Sequence, residues 1–283
     1  MSGAGANGQG ARFVRPVHGS GPRIGGPLQP RVPVRAVARR GGVSHPEHRP
    51  VEVREEERPS VHTHRLEVDN GHLIARFDGA RGLLDTGSPC SFGECGAVSV
   101  AGVEVVLGRG FPPLDAASVR ELAGADFDCL IGTDVLGRRP FTIDLRAGEL
   151  CIGELPDGPR HALRTIGGVP VVDAEVLGRR LPCFLDTGAT ICFLPSELQW
   201  PGPATGRHED FYPGLGRFDT ATRTARIRMF GHAFDVTVGE LPGMLAGLMQ
   251  GFAPGIVGLE MFAKGRVGLD LAAGEAVFIP YQT

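Results

Sequence analysis

The chain has 283 residues, 42% of them hydrophobic, and a formal net charge of −3, which supplies material for a core and no basic excess to draw nucleic acid. Its 43 Gly and 23 Pro favour a turn-dense β protein over a helical bundle. No run of about 18 apolar residues is present to span a bilayer as a helix, so no membrane partner is expected.

In chain order, the first 46 residues hold seven Arg and neither Asp nor Glu. Residues 1–61 read as a disordered basic tail and linker, with Arg54-Glu55-Glu56-Glu57-Arg58 solvated. The other reading is a basic pro-segment lying over an acidic cleft. The tail lacks the unbroken apolar core of a secretory signal, so a cytoplasmic location with reduced thiols is expected. Cys90, Cys95, Cys129, Cys151, Cys183 and Cys192 form no CxxC pair, although Cys90 and Cys95 are near enough to bridge in an oxidising compartment. The nine His show no metal-ligand spacing. His62 and His64 fall on one face of the first strand and read as a solvated edge. No metal and no cofactor are expected.

A strand pair is expected over 65–77, with its turn at Asn70-Gly71, ahead of Leu83-Leu84-Asp85-Thr86-Gly87. A plain short hairpin follows over 97–106. A helix is expected from the N-cap Asp115 through Val119 and Leu122 to a stop near Gly124. The second half opens with a strand pair over 169–185, turning at Gly178, ahead of Phe184-Leu185-Asp186-Thr187-Gly188. Between His208 and Phe218, Pro213-Gly214 and Gly216 bounded by aromatics suggest a projecting hairpin. A second helix is expected over 241–249, weakened by Gly243 and Gly247.

These elements come in two copies. Asp-Thr-Gly recurs with an offset of 186 − 85 = 101 residues. A longer repeat, 131–154 against 257–280, aligns without gaps at an offset of 258 − 132 = 126, matching Gly132 with Gly258 and Asp144 with Asp270. The 25 extra residues of the second copy therefore lie between its two motifs, where the projecting hairpin is expected. Asp144 and Asp270 read as hairpin residues, and Asp134 and Glu260 as capping or lining short helices.

A strand ending in Asp-Thr-Gly sets a carboxyl at the tip of a tight loop, and Gly allows the close approach the loop needs. Two such loops face to face hold two carboxyls too close to ionise together, so one keeps a proton. The pair can then activate a water and polarise a carbonyl. The downstream Leu130-Ile131-Gly132 and Ile256-Val257-Gly258 make sense as strands beside each loop, with Gly132 and Gly258 leaving room for it.

Over residues 62–283 this arrangement resembles the pepsin-like and retroviral-type aspartic proteases, as two short retroviral-protease-like halves fused in one chain. The resemblance implies an all-β bilobal fold with a few short helices, lobes at 62–155 and 156–283, and an active cleft between them. It implies Asp85 and Asp186 as the catalytic pair, Thr86 and Thr187 as a cross-lobe hydrogen-bond lattice, and Gly87 and Gly188 as loop-shaping residues. The implied reaction is hydrolysis of an extended peptide or protein substrate by an activated water. A monomer suffices, since both carboxyls are supplied in cis.

Three features depart from the family pattern. Ser88 follows the first motif and its hydroxyl is placed to bond Asp85, whereas Ala189 follows the second and has none to offer. No Tyr lies between Asp85 and Gly132, so the flap candidate is the second-half hairpin with Tyr212, Gly214 and Gly216; Tyr212 reads equally as a half-buried hairpin aromatic. The first half is expected to lack a flap. The alternative to an endopeptidase is a catalytically silent peptide-binding or regulatory module that keeps the cleft.

Overall fold

The computed structural model describes residues 60–111, 114–198 and 200–282; the expectations for the N-terminal tail fall outside them. In the first half, β1 (His62–Asp69), β2 (His72–Phe77) and β3 (Ala80–Leu84) form a meander that runs into Asp85. Its turns are Asn70-Gly71 and Asp78-Gly79, with both residues of each at positive φ, the twist that a two-residue hairpin demands. Short strands β4 (Phe92–Gly93), β5 (Ala97–Val100), β6 (Val103–Val106), β7 (Gly110–Phe111) and β8 (Leu114–Asp115) follow. Helix α1 (Ala116–Ala123) begins where expected: the Asp115 carboxylate accepts the Ser118 N–H, and Gly124 closes the helix at φ 62°. Strand β9 (Cys129–Ile131), α2 (Thr133–Leu136) and the hairpin β10 (Phe141–Asp144) with β11 (Glu149–Ile152) complete this half.

The second half repeats the order. Strands β12 (Arg160–Ala162) and β13 (Arg164–Ile166) together take the part of β1; β14 (Val169–Val176) and β15 (Arg179–Leu185) lead into Asp186. Strand β16 (Cys192–Phe193) precedes the long hairpin strands β17 (Gly206–Tyr212) and β18 (Gly216–Met229), and then β19 (His232–Gly239). Helix α3 (Gly243–Met249), β20 (Gly255–Val257), α4 (Leu259–Phe262) and the hairpin β21 (Gly265–Asp270) with β22 (Glu275–Pro280) end the chain.

The described residues are thus predominantly strand with few short helices. Among them no helix is long and apolar enough to cross a membrane.

Two topological features set the site. First, each strand entering an Asp loop pairs in parallel with the apolar-apolar strand from further along its own half. Leu83 and Leu84 lie beside Leu130 and Ile131, and Phe184 and Leu185 beside Ile256 and Val257. The carbonyls of Ile131 and Val257 then accept the N–H groups of Asp85 and Asp186 at 3.1 and 3.0 Å, fixing where each loop starts. Second, the closing hairpins of the two halves join edge to edge. β10 pairs antiparallel with β21, Phe141 opposite Leu269 and Ile143 opposite Val267, giving one ten-stranded sheet shared by both halves. Phe141, Ile143, Leu150, Val267, Leu269 and Phe278, all buried, make that sheet part of the core.

The halves differ where the offsets locate the difference. In the first, the equivalent of the long hairpin is β5–β6, four residues a side. It packs back on its own half: the Ala101 N–H reaches His64 Nε2 at 3.3 Å, and Gly102 lies over the His62 ring. This corrects the solvated edge expected for His62 and His64, because β1 is paired on both sides and the hairpin leaves both rings half-buried.

Candidate active site

The two Asp-Thr-Gly loops meet at the junction of the halves. Thr86 and Thr187 are fully buried and bonded reciprocally. Each backbone N–H donates to the other's Oγ1 at 3.0 Å. Thr86 Oγ1 donates to the Leu185 carbonyl at 2.8 Å, and Thr187 Oγ1 to the Leu84 carbonyl at 2.7 Å. Each hydroxyl thus uses its one donor and one acceptor site across the junction, so neither loop can shift without stranding buried polar groups of the other.

The same loops aim the carboxyls. Asp85 Oδ1 accepts the N–H groups of Gly87 (2.9 Å) and Ser88 (3.0 Å), and Asp186 Oδ1 those of Gly188 (2.8 Å) and Ala189 (3.3 Å). The two carboxyls lie within hydrogen-bonding reach of each other, and Asp186 also meets the Gly87 N–H of the first loop. Gly87 and Gly188 are needed for this approach. A Cβ on Gly188 would stand 2.8 Å from the Asp85 carboxyl, and one on Gly87 would overlap that of Asp186. Gly132 and Gly258 serve as expected: a Cβ on Gly132 would stand 2.6 Å from the Ser88 carbonyl, and one on Gly258 would strike the Ile191 carbonyl.

The Ser88 hydroxyl does not bond Asp85. It donates to the Cys90 carbonyl at 2.8 Å, folding the loop after the motif, and only the Ser88 backbone N–H reaches Asp85. The expected asymmetry between a Ser and an Ala loop is therefore absent from the hydrogen bonds, since both residues act through their N–H groups. Of the two roles expected for Asp134 and Glu260, capping or lining short helices, the structure shows the second, since both lie in the first turn of their helix. Asp134 accepts the Ser91 hydroxyl, tying α2 to the loop before β4, and Glu260 accepts the Thr237 N–H at 2.8 Å, tying α4 to β19, while Gly132 and Gly258 hold the cap positions.

Each carboxyl keeps a partial opening to solvent and is otherwise enclosed by protein. Burial, reinforced by the Asp186 charge and the shared hydrogen bond, holds Asp85 well above the usual carboxylate range. Burial also raises Asp186, opposed by the Gly188 and Ala189 N–H groups. With both carboxyls raised and too close to ionise together, the pair gives up its protons in two separate steps and holds one proton between them.

Two apolar clusters flank the pair. One, in the first half, contains Leu83, Phe92, Val119 and Leu130. The other, in the second, contains Ile191, Phe193 and Ile256. Phe92 and Phe193 stand at the offset of the Asp loops, and Leu130 and Ile256 at that of the longer repeat.

The projecting hairpin spans from one half to the other. It is in register from Gly206 opposite Thr222 to Tyr212 opposite Gly216. Phe211 packs against the first cluster and lies 5.7 Å from the His72 ring. Arg217 donates to the Glu121 carbonyl at the end of α1. On the opposite face Phe218 sits 5.9 Å from Phe193 in the second cluster. Tyr212, the candidate aromatic, is at the tip and 44% exposed, next to Gly214 and Gly216, which serve the turn.

Sequence reasoning did not single out His72, Thr190 or Asp210, nor give His208 a partner. His72 is buried beside Gly188, and burial lowers its imidazole below the usual histidine range. His208 Nε2 lies 2.7 Å from the Thr190 hydroxyl. The signal was present on β17: His208 and Asp210 are two apart and share the face turned toward the Asp186 loop. All six cysteines are free thiols. Among the described residues no group of His, Cys, Asp and Glu is placed to hold a metal ion.

No protein-family model and no curated protein matches the chain.

Proposed function

We propose that the chain is an aspartic endopeptidase, with two retroviral-protease-like lobes fused in one polypeptide and Asp85 and Asp186 as its catalytic pair. The observation that carries this reading is the reciprocal Thr86–Thr187 lattice, which clamps two carboxyls sharing one proton. Such a pair needs no other group to cleave an amide. Ionised Asp186 draws a proton from a water lying between the carboxyls, and the water oxygen adds to the peptide carbonyl carbon. Asp85 gives its proton to the carbonyl oxygen, so the tetrahedral species is neutral. When the C–N bond breaks, the leaving nitrogen takes the proton now on Asp186, and a hydroxyl proton returns to Asp85. An extended substrate fits a cleft closed by a β-hairpin, which offers main-chain partners along its strands.

The alternative reading is a catalytically silent peptide-binding module that keeps the same cleft. Cleavage of a mixed peptide library from pH 3 to 7.5 separates the two readings. Wild type should cleave, and both Asp85→Asn and Asp186→Asn should reduce turnover to background. Cleavage that survives either substitution overturns the assignment, and a folded wild type that binds peptides without cutting them establishes the binding module.

A further inference from the structure

Beside the Asp pair stands a third carboxyl to which the proposed reaction gives no task. Asp210 is on β17, the strand of the projecting hairpin that forms the edge of the second half's sheet. Its side chain is only 5% exposed. Oδ1 accepts the Phe211 N–H at 2.8 Å, but Oδ2 is buried with no hydrogen-bond partner. The nearest basic nitrogen among the described residues is His208 Nε2, 3.8 Å away, and that nitrogen is already engaged by the Thr190 hydroxyl at 2.7 Å. No Arg or Lys pairs with Asp210 among the described residues. Thr190 follows Asp186 by four residues, so Asp210 closes over the loop that carries one member of the pair. The Asp186 charge is close enough to act on it.

A buried carboxyl with half its acceptor capacity unused, beside another acid, is unfavourable unless something supplies a positive charge. Among the described residues only His208, already held by Thr190, stands near Oδ2, and Asp210 lies on the hairpin face turned toward the Asp186 loop, where a peptide running between the two would pass. We propose that Asp210 is a specificity-determining residue that takes a cationic nitrogen of the substrate, the ammonium or guanidinium of a Lys or Arg near the cleaved bond, on the second half's side. This rests on the peptide-cleft reading and adds a substrate class to it. The rival role for Asp210 is a protonated carboxyl donating to a peptide carbonyl, which would bring no preference for basic side chains. Burial raises Asp210 above the usual carboxylate range, and the Asp186 charge adds to this against the opposing Phe211 N–H, His208 and Thr190 N–H. A bound cation would return it to the ionised form.

The test uses N-acetylated octapeptides with one Lys walked through every position around a central Phe-Phe, each matched by a norleucine peptide, plus one set with free N-termini. Turnover is read on wild type and Asp210→Asn. Binding is read separately on Asp85→Asn and on Asp85→Asn combined with Asp210→Asn, so the outcome does not depend on catalysis. At one register the Lys peptide should be preferred over norleucine by about 30-fold or more, the scale for one partner of a buried charge pair. Asp210→Asn should bring that ratio close to one, whatever happens to absolute rates. Binding preference without any turnover would retain Asp210's role and defeat the peptidase reading. A preference that appears only with free N-termini assigns the cation to the terminal amine rather than a side chain. A wild-type ratio near one at every register, no binding of any peptide, or a preference unchanged by Asp210→Asn overturns the inference.

Discussion

Asp85 and Asp186 illustrate how a pair of residues can weaken the fold that holds it. Because burial and the neighbouring charge hold Asp85 well above the range it would have in the unfolded chain, the native state keeps a proton that the unfolded state releases. Where native protons exceed unfolded ones, stability falls as pH rises. The cost is absent below the unfolded pKa and fully present once pH passes the folded one. Asp85→Asn removes the ionisation while leaving an oxygen to accept the Gly87 and Ser88 N–H groups. The variant should therefore melt above wild type at pH 7.5, with the gap closing toward pH 4. A Tm difference that is flat with pH, or that widens in acid, would show that the pair is not proton-sharing. Thr86 and Thr187 are the counterweight, since their four cross-junction bonds are satisfied at every pH.

At the scale of elements, the hairpins share one device. Asn70-Gly71, Asp78-Gly79, Ala101-Gly102, Leu177-Gly178 and Phe230-Gly231 each place two successive residues at positive φ, Gly always second. Asn and Asp tolerate the first position, whereas Ala, Leu and Phe are strained there. Leu177 (φ 51°) is the clearest case, being half exposed with open space around Gly178. Leu177→Asn should gain about 0.5–1 kcal/mol from the relieved backbone, or a Tm rise of roughly 1–4 °C for a chain of this size. Differential scanning calorimetry on the two proteins settles it, and a fall in Tm would mean that Leu177's apolar contacts outweigh the strain. The same device governed what was legible. Asn70-Gly71 and the alternating residues around it announce a hairpin, and Asp115 with Gly124 frames a helix. The direction of Phe211 was not legible. A strand's period of two names the residues sharing a face but not what that face meets across a junction. The Ser88 hydroxyl was misread for a related reason: a local carbonyl, that of Cys90, won it.

Across the whole molecule, the longer repeat foretold a duplicated order of parts but not how the copies are joined. Pairing of β10 with β21 joins residues more than a hundred positions apart, and no local signal encodes that register. Asp144 shows what the join adds. The repeat makes it the counterpart of Asp270, whose carboxylate simply accepts the Ala272 and Ala273 N–H groups of its own turn. Asp144 does likewise with Ala147, but it also accepts Arg266 Nε at 2.8 Å and the Tyr281 hydroxyl at 2.7 Å, both from the second half. Burial opposes its charge, yet the Ala147 N–H, Tyr281 and Arg266 outweigh that and leave its carboxyl below the usual range. The sign is thus opposite to that of Asp85. Stability from Asp144 is present above the unfolded pKa and is lost as pH falls through the lower folded one. Arg266 is half exposed, so solvent screening trims the figure for breaking a buried pair. Asp144→Ala should cost about 2 kcal/mol at pH 7, near 4–8 °C in Tm, and progressively less as pH is taken below 4. Equal losses at pH 7 and pH 3 would mean that the carboxylate serves only as a turn residue, as Asp270 does, and that apolar pairing of β10 with β21 alone holds the halves together.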